Sequence, residues 1–98
     1  MAFIQIMEIQ TADYSAIAAI VDEWGKATEG RRTTRRTIVA RDRNKADSYV
    51  IIVAFDSYES AMKNSELPET QELARKIGAA ANGPIVFHDA EIIDDHAW

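Results

Sequence analysis

Residues 48–55 (SYVIIVAF) alternate in two apolar rows. Tyr49, Ile51, Val53 and Phe55 form one row, and Val50, Ile52 and Ala54 form the other. Successive strand side chains point to opposite faces, so this pattern predicts a central strand covered on both sides. Residues 2–10 (AFIQIMEIQ) repeat it. Ile4 and Ile6 share one face; Phe3, Met7 and Ile9 share the other, with Gln5 among them. Residues 33–41 (TTRRTIVAR) predict a strand of another kind, rich in Thr and Arg around Ile38 and Val39. Charge of this sort suits a sheet edge, where it blocks unwanted pairing. Residues 85–93 (IVFHDAEII) predict the last strand, ahead of the polar tail DDHAW.

Between these runs the period changes to that of a helix. Ile17, Ile20, Val21 and Trp24 make a single stripe within residues 14–29, with Asp13 or Ser15 as cap and Gly30 as stop. Asp56 and Glu59 have capping-box spacing and open a short helix to about Asn64. Pro68 suits the first turn of a further helix carrying Leu73, Ala74 and Ile77, which Asn82-Gly83-Pro84 ends.

The resulting order is β-α-β-β-α-β with an interrupted second helix, a single ferredoxin-like α+β domain over residues 1–98. In this topology the antiparallel sheet runs 4-1-3-2. The two strands apolar on both faces then lie at the centre, and the arginine-rich one at an edge. Two helices can cover only one face. The other would remain a contiguous apolar patch, which monomers rarely expose. A chain of 98 residues also has a thin core of its own. A homodimer packed sheet to sheet about a two-fold axis answers both problems.

The chain resembles the dimeric α+β barrel superfamily, and within it the antibiotic-biosynthesis-monooxygenase-like proteins. The resemblance spans nearly the whole chain. It is carried by strand Tyr49–Phe55, the turn Asp56-Ser57-Tyr58-Glu59-Ser60-Ala61, the Asn64-Ser65 and Pro68 break, and Gly83-Pro84 before the last strand. It implies a cavity in a dimeric barrel and, for the oxygenases, action on polycyclic phenols without metal or flavin. The haem-degrading branch typically has asparagine on the first strand, with tryptophan and histidine near the second helix. Here the first strand has Gln5, and residues 57–81 contain neither tryptophan nor histidine. The resemblance therefore implies a cofactor-independent monooxygenase or related small enzyme on an aromatic or polyketide-like substrate. The alternative is a non-catalytic dimer that binds a small ligand or partner.

Composition narrows the chemistry. At 47% hydrophobic and 28% charged, the chain is an ordinary globular one. It has no cysteine, which excludes disulfides, thiolate catalysis and sulfur-ligated zinc. No basic region precedes an apolar stretch at Met1–Gln5, and no apolar run is long enough to span a bilayer. A cytoplasmic location without membrane partners is expected. The net charge of −5 disfavours broad attraction to nucleic acid. The run Arg31-Arg32-Thr33-Thr34-Arg35-Arg36 is basic, but no aromatic interleaves it as single-strand binding prefers. It reads first as a solvated edge, and second as Arg35 or Arg36 at a cavity mouth.

Few residues remain as candidates for chemistry. Gln5, an amide on a buried strand, either orients a ligand or bonds a neighbour. His88 is the candidate acid or base, or else a structural histidine. Tyr49 and Tyr58 could bind a planar ligand, and Arg36 at a cavity mouth could hold a phosphate or carboxylate. Trp24 and Met62 read as core. His88 and His96 are the only histidines, and the glycines match no nucleotide-binding loop, so neither a metal nor a cofactor is expected. If Gln5 and His88 converge in an enclosed cavity, the catalytic reading gains.

Overall fold

The computed structural model describes residues 2–98. The elements run β1 (Phe3–Gln10), α1 (Tyr14–Ala27), β2 (Arg36–Arg41), β3 (Ser48–Phe55), α2 (Tyr58–Glu66), α3 (Pro68–Ala80) and β4 (Val86–Glu91). The sheet has the order β2-β3-β1-β4, all neighbours antiparallel. This is the ferredoxin-like arrangement expected from the strand patterns.

Register assigns every side chain to a face. Phe3, Gln5, Met7 and Ile9 lie opposite Phe55, Val53, Ile51 and Tyr49 on one side. Helices α1, α2 and α3 cover that side. Its core comprises Phe3, Ile9, Ile51, Val53 and Phe55 from the sheet, with Ile17, Ala61 and Ile77 from the helices. The second side carries Ile4, Ile6, Val50, Ile52 and Ala54, extended by Ile38 on β2 and by Val86 and Ala90 on β4. Among the described residues no helix lies on it. Ile38 is 40% exposed and Val86 48%.

The element ends differ from the sequence pattern for local reasons. Helix α1 ends at Ala27, because the Thr28 hydroxyl and N–H both donate to Trp24 O, at 2.7 and 3.0 Å. Gly30 then reverses the chain at φ +80°. Asp13 does not cap α1 through its side chain; it accepts the Ser15 hydroxyl instead. The cap of α2 is Ser57, whose hydroxyl accepts the Ser60 N–H at 3.1 Å. Asp56 is not available for that role, since its carboxylate binds Arg35 at 2.9 and 2.5 Å. Strand β2 starts at Arg36. Thr33 is drawn off toward α2, its hydroxyl donating to Ser60 O at 2.5 Å.

Ile17 has no exposed surface and seats α1 on the sheet. Ile17→Ala is expected to destabilise the fold by about 2–5 kcal/mol through lost burial and a residual void. Urea denaturation followed by circular dichroism measures this. A loss well under 1 kcal/mol would contradict the packing.

Candidate functional site

The helices do not close down fully on the sheet. Leu67, which precedes Pro68, is extended at φ −62° and ψ 131°, as the proline ring requires of its neighbour. The resulting break separates α2 from α3. It brings Asn64 and Ser65 at the end of α2 beside Thr70 and Gln71 at the start of α3. Helix α1 packs against α3, and the indole N–H of Trp24 donates to the Thr70 hydroxyl at 2.9 Å. A cavity of about 260 Å³ remains between sheet and helices.

The floor of this chamber is the covered sheet face, with Gln5, Met7, Ile51, Val53 and Phe55. Val21, Trp24, Leu73, Ala74 and Ile77 line it from α1 and α3. The remaining walls are Thr34, Thr37, Asn64, Ser65, Thr70, Gln71, Ile85 and Phe87. Every polar group among them is a neutral amide, hydroxyl or indole. No ionisable side chain lines the chamber among the described residues.

The polar groups differ in how far the protein occupies them. Gln5 donates from Nε2 to Asp89 Oδ1 at 3.3 Å. Asn64 is 5% exposed, and its Oδ1 accepts the Thr33 N–H at 3.4 Å. Its own NH2 group has no protein acceptor among the described residues. Ser65 donates back to Ala61 O at 3.0 Å. Thr34 and Thr37 have side-chain hydroxyls with no protein partner among the described residues. An incoming ligand would thus meet an amide donor at Asn64 and two free hydroxyls.

The chamber contains some of the residues picked out in sequence and not others. Gln5 is on its floor, and its side-chain amide is bonded to the neighbouring Asp89. Trp24, expected in the core, is a chamber wall. Tyr49 lies outside. Its ring stacks on Tyr14 at 4.7 Å, with the Arg41 guanidinium 5.9 Å away. Tyr58 is half exposed and meets Phe3 edge-on.

His88 requires a correction. It lies opposite Ile6, on the uncovered sheet face, and its Nε2 is 2.8 Å from Glu8 Oε2. Gln5 lies opposite Asp89, one position along β4. Strand alternation therefore sends Gln5 and His88 to opposite sides of the sheet, and within one chain they do not converge. His88 cannot be the base for a ligand in its own chamber.

Arg36 lies outside the chamber, on an adjoining groove with Arg32 and Arg35. Sequence reading missed Asn64, Thr34, Thr37, Thr70 and Gln71 as site residues. One signal was present: an asparagine inside a helix, four residues before a proline. Asparagine is a poor helix former, so a buried one there asks for a reason.

The fold is shared with solved structures at low sequence identity. SnoaB, a cofactor-independent oxygenase from Streptomyces nogalater, superposes with a TM-score of 0.80 at 12% identity, over 96% of this chain and 95% of that one. A Caulobacter crescentus protein assigned to the antibiotic biosynthesis monooxygenases gives 0.79 at 7%, over 95% and 91%. Another so assigned, from Bordetella bronchiseptica, gives 0.74 at 15%, over 94% and 97%. No family model matches the chain, and no curated relative does. The chain thus has the fold of the antibiotic-biosynthesis-monooxygenase-like proteins, as its sequence resemblance implied.

The Trp24–Thr70 bond pins α1 to α3 across the chamber. Thr70→Val keeps the shape of the side chain and removes the acceptor. It is expected to cost about 0.5–1.5 kcal/mol, read from chemical denaturation. No loss would show that the indole N–H contributes nothing to holding the helices.

Proposed function

We propose that each chain binds a small, flat, mostly apolar molecule in the chamber, and that this molecule is a phenol of aromatic or polyketide type oxygenated without a cofactor. The observation that carries the reading is the cavity of about 260 Å³ with apolar walls and a few neutral hydrogen-bonding groups. That makeup is typical of small-molecule sites, and the volume is just below the roughly 300–1,000 Å³ of common ligand pockets. The fold shared with a cofactor-independent oxygenase supports the reaction class.

The neutral lining constrains the chemistry. No chamber side chain can take a proton as general base, so the substrate must give its phenolic proton to water. Desolvation and the amide donor of Asn64 then act on the resulting anion. The electron-rich anion reduces molecular oxygen and combines with it as a hydroperoxide. The hydroperoxide forms at a ring CH para to the hydroxyl, with a proton from water, and loss of water turns that carbon into C=O, giving a quinone. One oxygen atom enters the product, the other leaves as water, and the substrate supplies all the electrons. The same neutral lining also favours a second reading, a chamber that binds its ligand without turning it over.

The uncovered sheet face supports a homodimer. Ile4, Ile6, Ile38, Val50, Ile52 and Val86 form its apolar surface, with the His88–Glu8 pair alongside. A second copy would bury it and complete the barrel that the resemblance implies.

Two experiments test the reading. Oxygen uptake with dihydroxynaphthalenes of differing acidity, with no metal or flavin added, should show pH profiles displaced in step with the substrates' own ionisation. His88→Ala should leave those profiles in place. A single profile fixed near the ordinary range of histidine, lost in His88→Ala, would overturn the neutral-chamber mechanism. Saturable binding with no uptake would select the non-catalytic reading.

For the dimer, Ile52→Asp puts a charge at the centre of the uncovered face. Burying it would cost several kcal/mol. Light scattering should give twice the mass of one chain for the wild type and one chain for the variant. A wild-type monomer at micromolar concentration would remove the dimer.

A further inference from the structure

The four arginines of the 31–36 run have different fates. Arg31 is neutralised by Glu69, with contacts of 2.6 and 3.2 Å. The hydrogen bond holds the Glu69 carboxyl below the usual carboxylate range. Arg35 is neutralised by Asp56 in the same way, and the Asp56 carboxyl is likewise lowered. Arg32 and Arg36 have no carboxylate partner among the described residues.

Arg32 sits at a particular place. Its guanidinium lies 6.0 Å from the centre of the Trp24 ring, and Nη1 donates to Gly25 O at 2.6 Å. Those contacts anchor one end of the fork. The Nε–Nη2 edge has no protein acceptor among the described residues. Arg32 lines an open groove of about 620 Å³ beside the chamber. Val21, Trp24, Thr34 and Thr37 line both the groove and the chamber, so the two meet there.

The charge in the groove can be followed group by group. Lys26 is paired with Asp22 at 3.1 Å, and Arg35 with Asp56. Arg32 and Arg36 then stand against one free carboxylate, Glu29. Arg36 lies opposite Ala54 and so springs from the uncovered sheet face, although it also lines the groove. Arg32 is therefore an unpaired cation beside Trp24, a residue of the junction, where the Thr34 and Thr37 hydroxyls are also free.

We infer that the chamber's ligand carries a carboxylate, with its ring system between sheet and helices and its carboxylate in the groove on the Nε–Nη2 edge of Arg32. This inference rests on the chamber reading above and adds the ligand class. A planar guanidinium edge matches a carboxylate with two parallel hydrogen bonds. One surplus positive charge suits a monoanion better than a doubly charged phosphate.

The test uses 2-naphthoate and 2-naphthamide, which share a ring and differ in charge. Trp24 and Trp98 are the only tryptophans, and Trp98 is fully exposed. In a Trp98→Phe background, Trp24 fluorescence therefore reports the chamber. Naphthoate should bind about tenfold tighter than naphthamide. Arg32→Gln should remove that advantage and leave naphthamide binding unchanged, which also shows that the chamber is intact. Arg43→Gln, a substitution in the loop after β2, should change neither. Equal affinity for the two probes, untouched by Arg32→Gln, would overturn the carboxylate subsite and keep the chamber reading. Failure of both probes to bind would overturn both.

Discussion

The pairing of β1 with β3 is the constraint on which the rest of the structure depends. Eight consecutive residue pairs, from Phe3↔Phe55 to Gln10↔Ser48, lock two strands that are apolar on both faces. A slip of one residue would turn every side chain to the other face. With this register, the face holding Phe3, Ile51, Val53 and Phe55 receives the helices. The face holding Ile4, Ile6, Val50 and Ile52 is left without a helix among the described residues. The chamber and the uncovered face are thus two consequences of one alignment.

The chamber exists because the covering layer is interrupted. A continuous helix from Tyr58 to Ala80 would present one unbroken stripe to the sheet. The extended Leu67 before Pro68 prevents this and turns two helix ends toward the same wall. Asn64, Ser65, Thr70 and Gln71 reach the chamber from those ends. The lining stays neutral even though the chain is 28% charged. Burying an unpaired charge is costly, and here the charges are paired at the surface, as with Arg31–Glu69 and Arg35–Asp56. A neutral chamber can desolvate and orient a ligand but holds no side chain that serves as a general base near neutral pH.

The arginine run shows how pairing assigns roles to similar residues. Four arginines within six positions look equivalent as a string. In the fold, two are tied to carboxylates on α3 and just before α2, far away in sequence. A third, Arg32, is held by a backbone carbonyl and an indole ring, which leaves its charge uncompensated. The expectation of a solvated edge describes Arg36 better than it describes Arg31, Arg35 or Arg32.

The order of elements, the central place of β1 and β3 and the edge place of β2 were legible in the chain. All three follow from period-two and helical hydrophobicity, which short-range geometry sets. Gln5 was legible too, as an amide among apolar neighbours on a central strand. The surfaces that the strands share could be listed from the chain, but not which one the helices would cover. His88 was misassigned for that reason: alternation placed it with Val86 and Ala90, and only helix placement showed that this row looks away from the chamber. Asn64, Thr34, Thr37 and Thr70 come together from α2, the segment before β2, β2 itself and α3. No local pattern encodes a meeting of residues so far apart, because it depends on how the helices dock on the sheet. The chain by itself therefore determined the layers and their apolar faces, and only the tertiary structure decided which face became a chamber and which polar groups lined it.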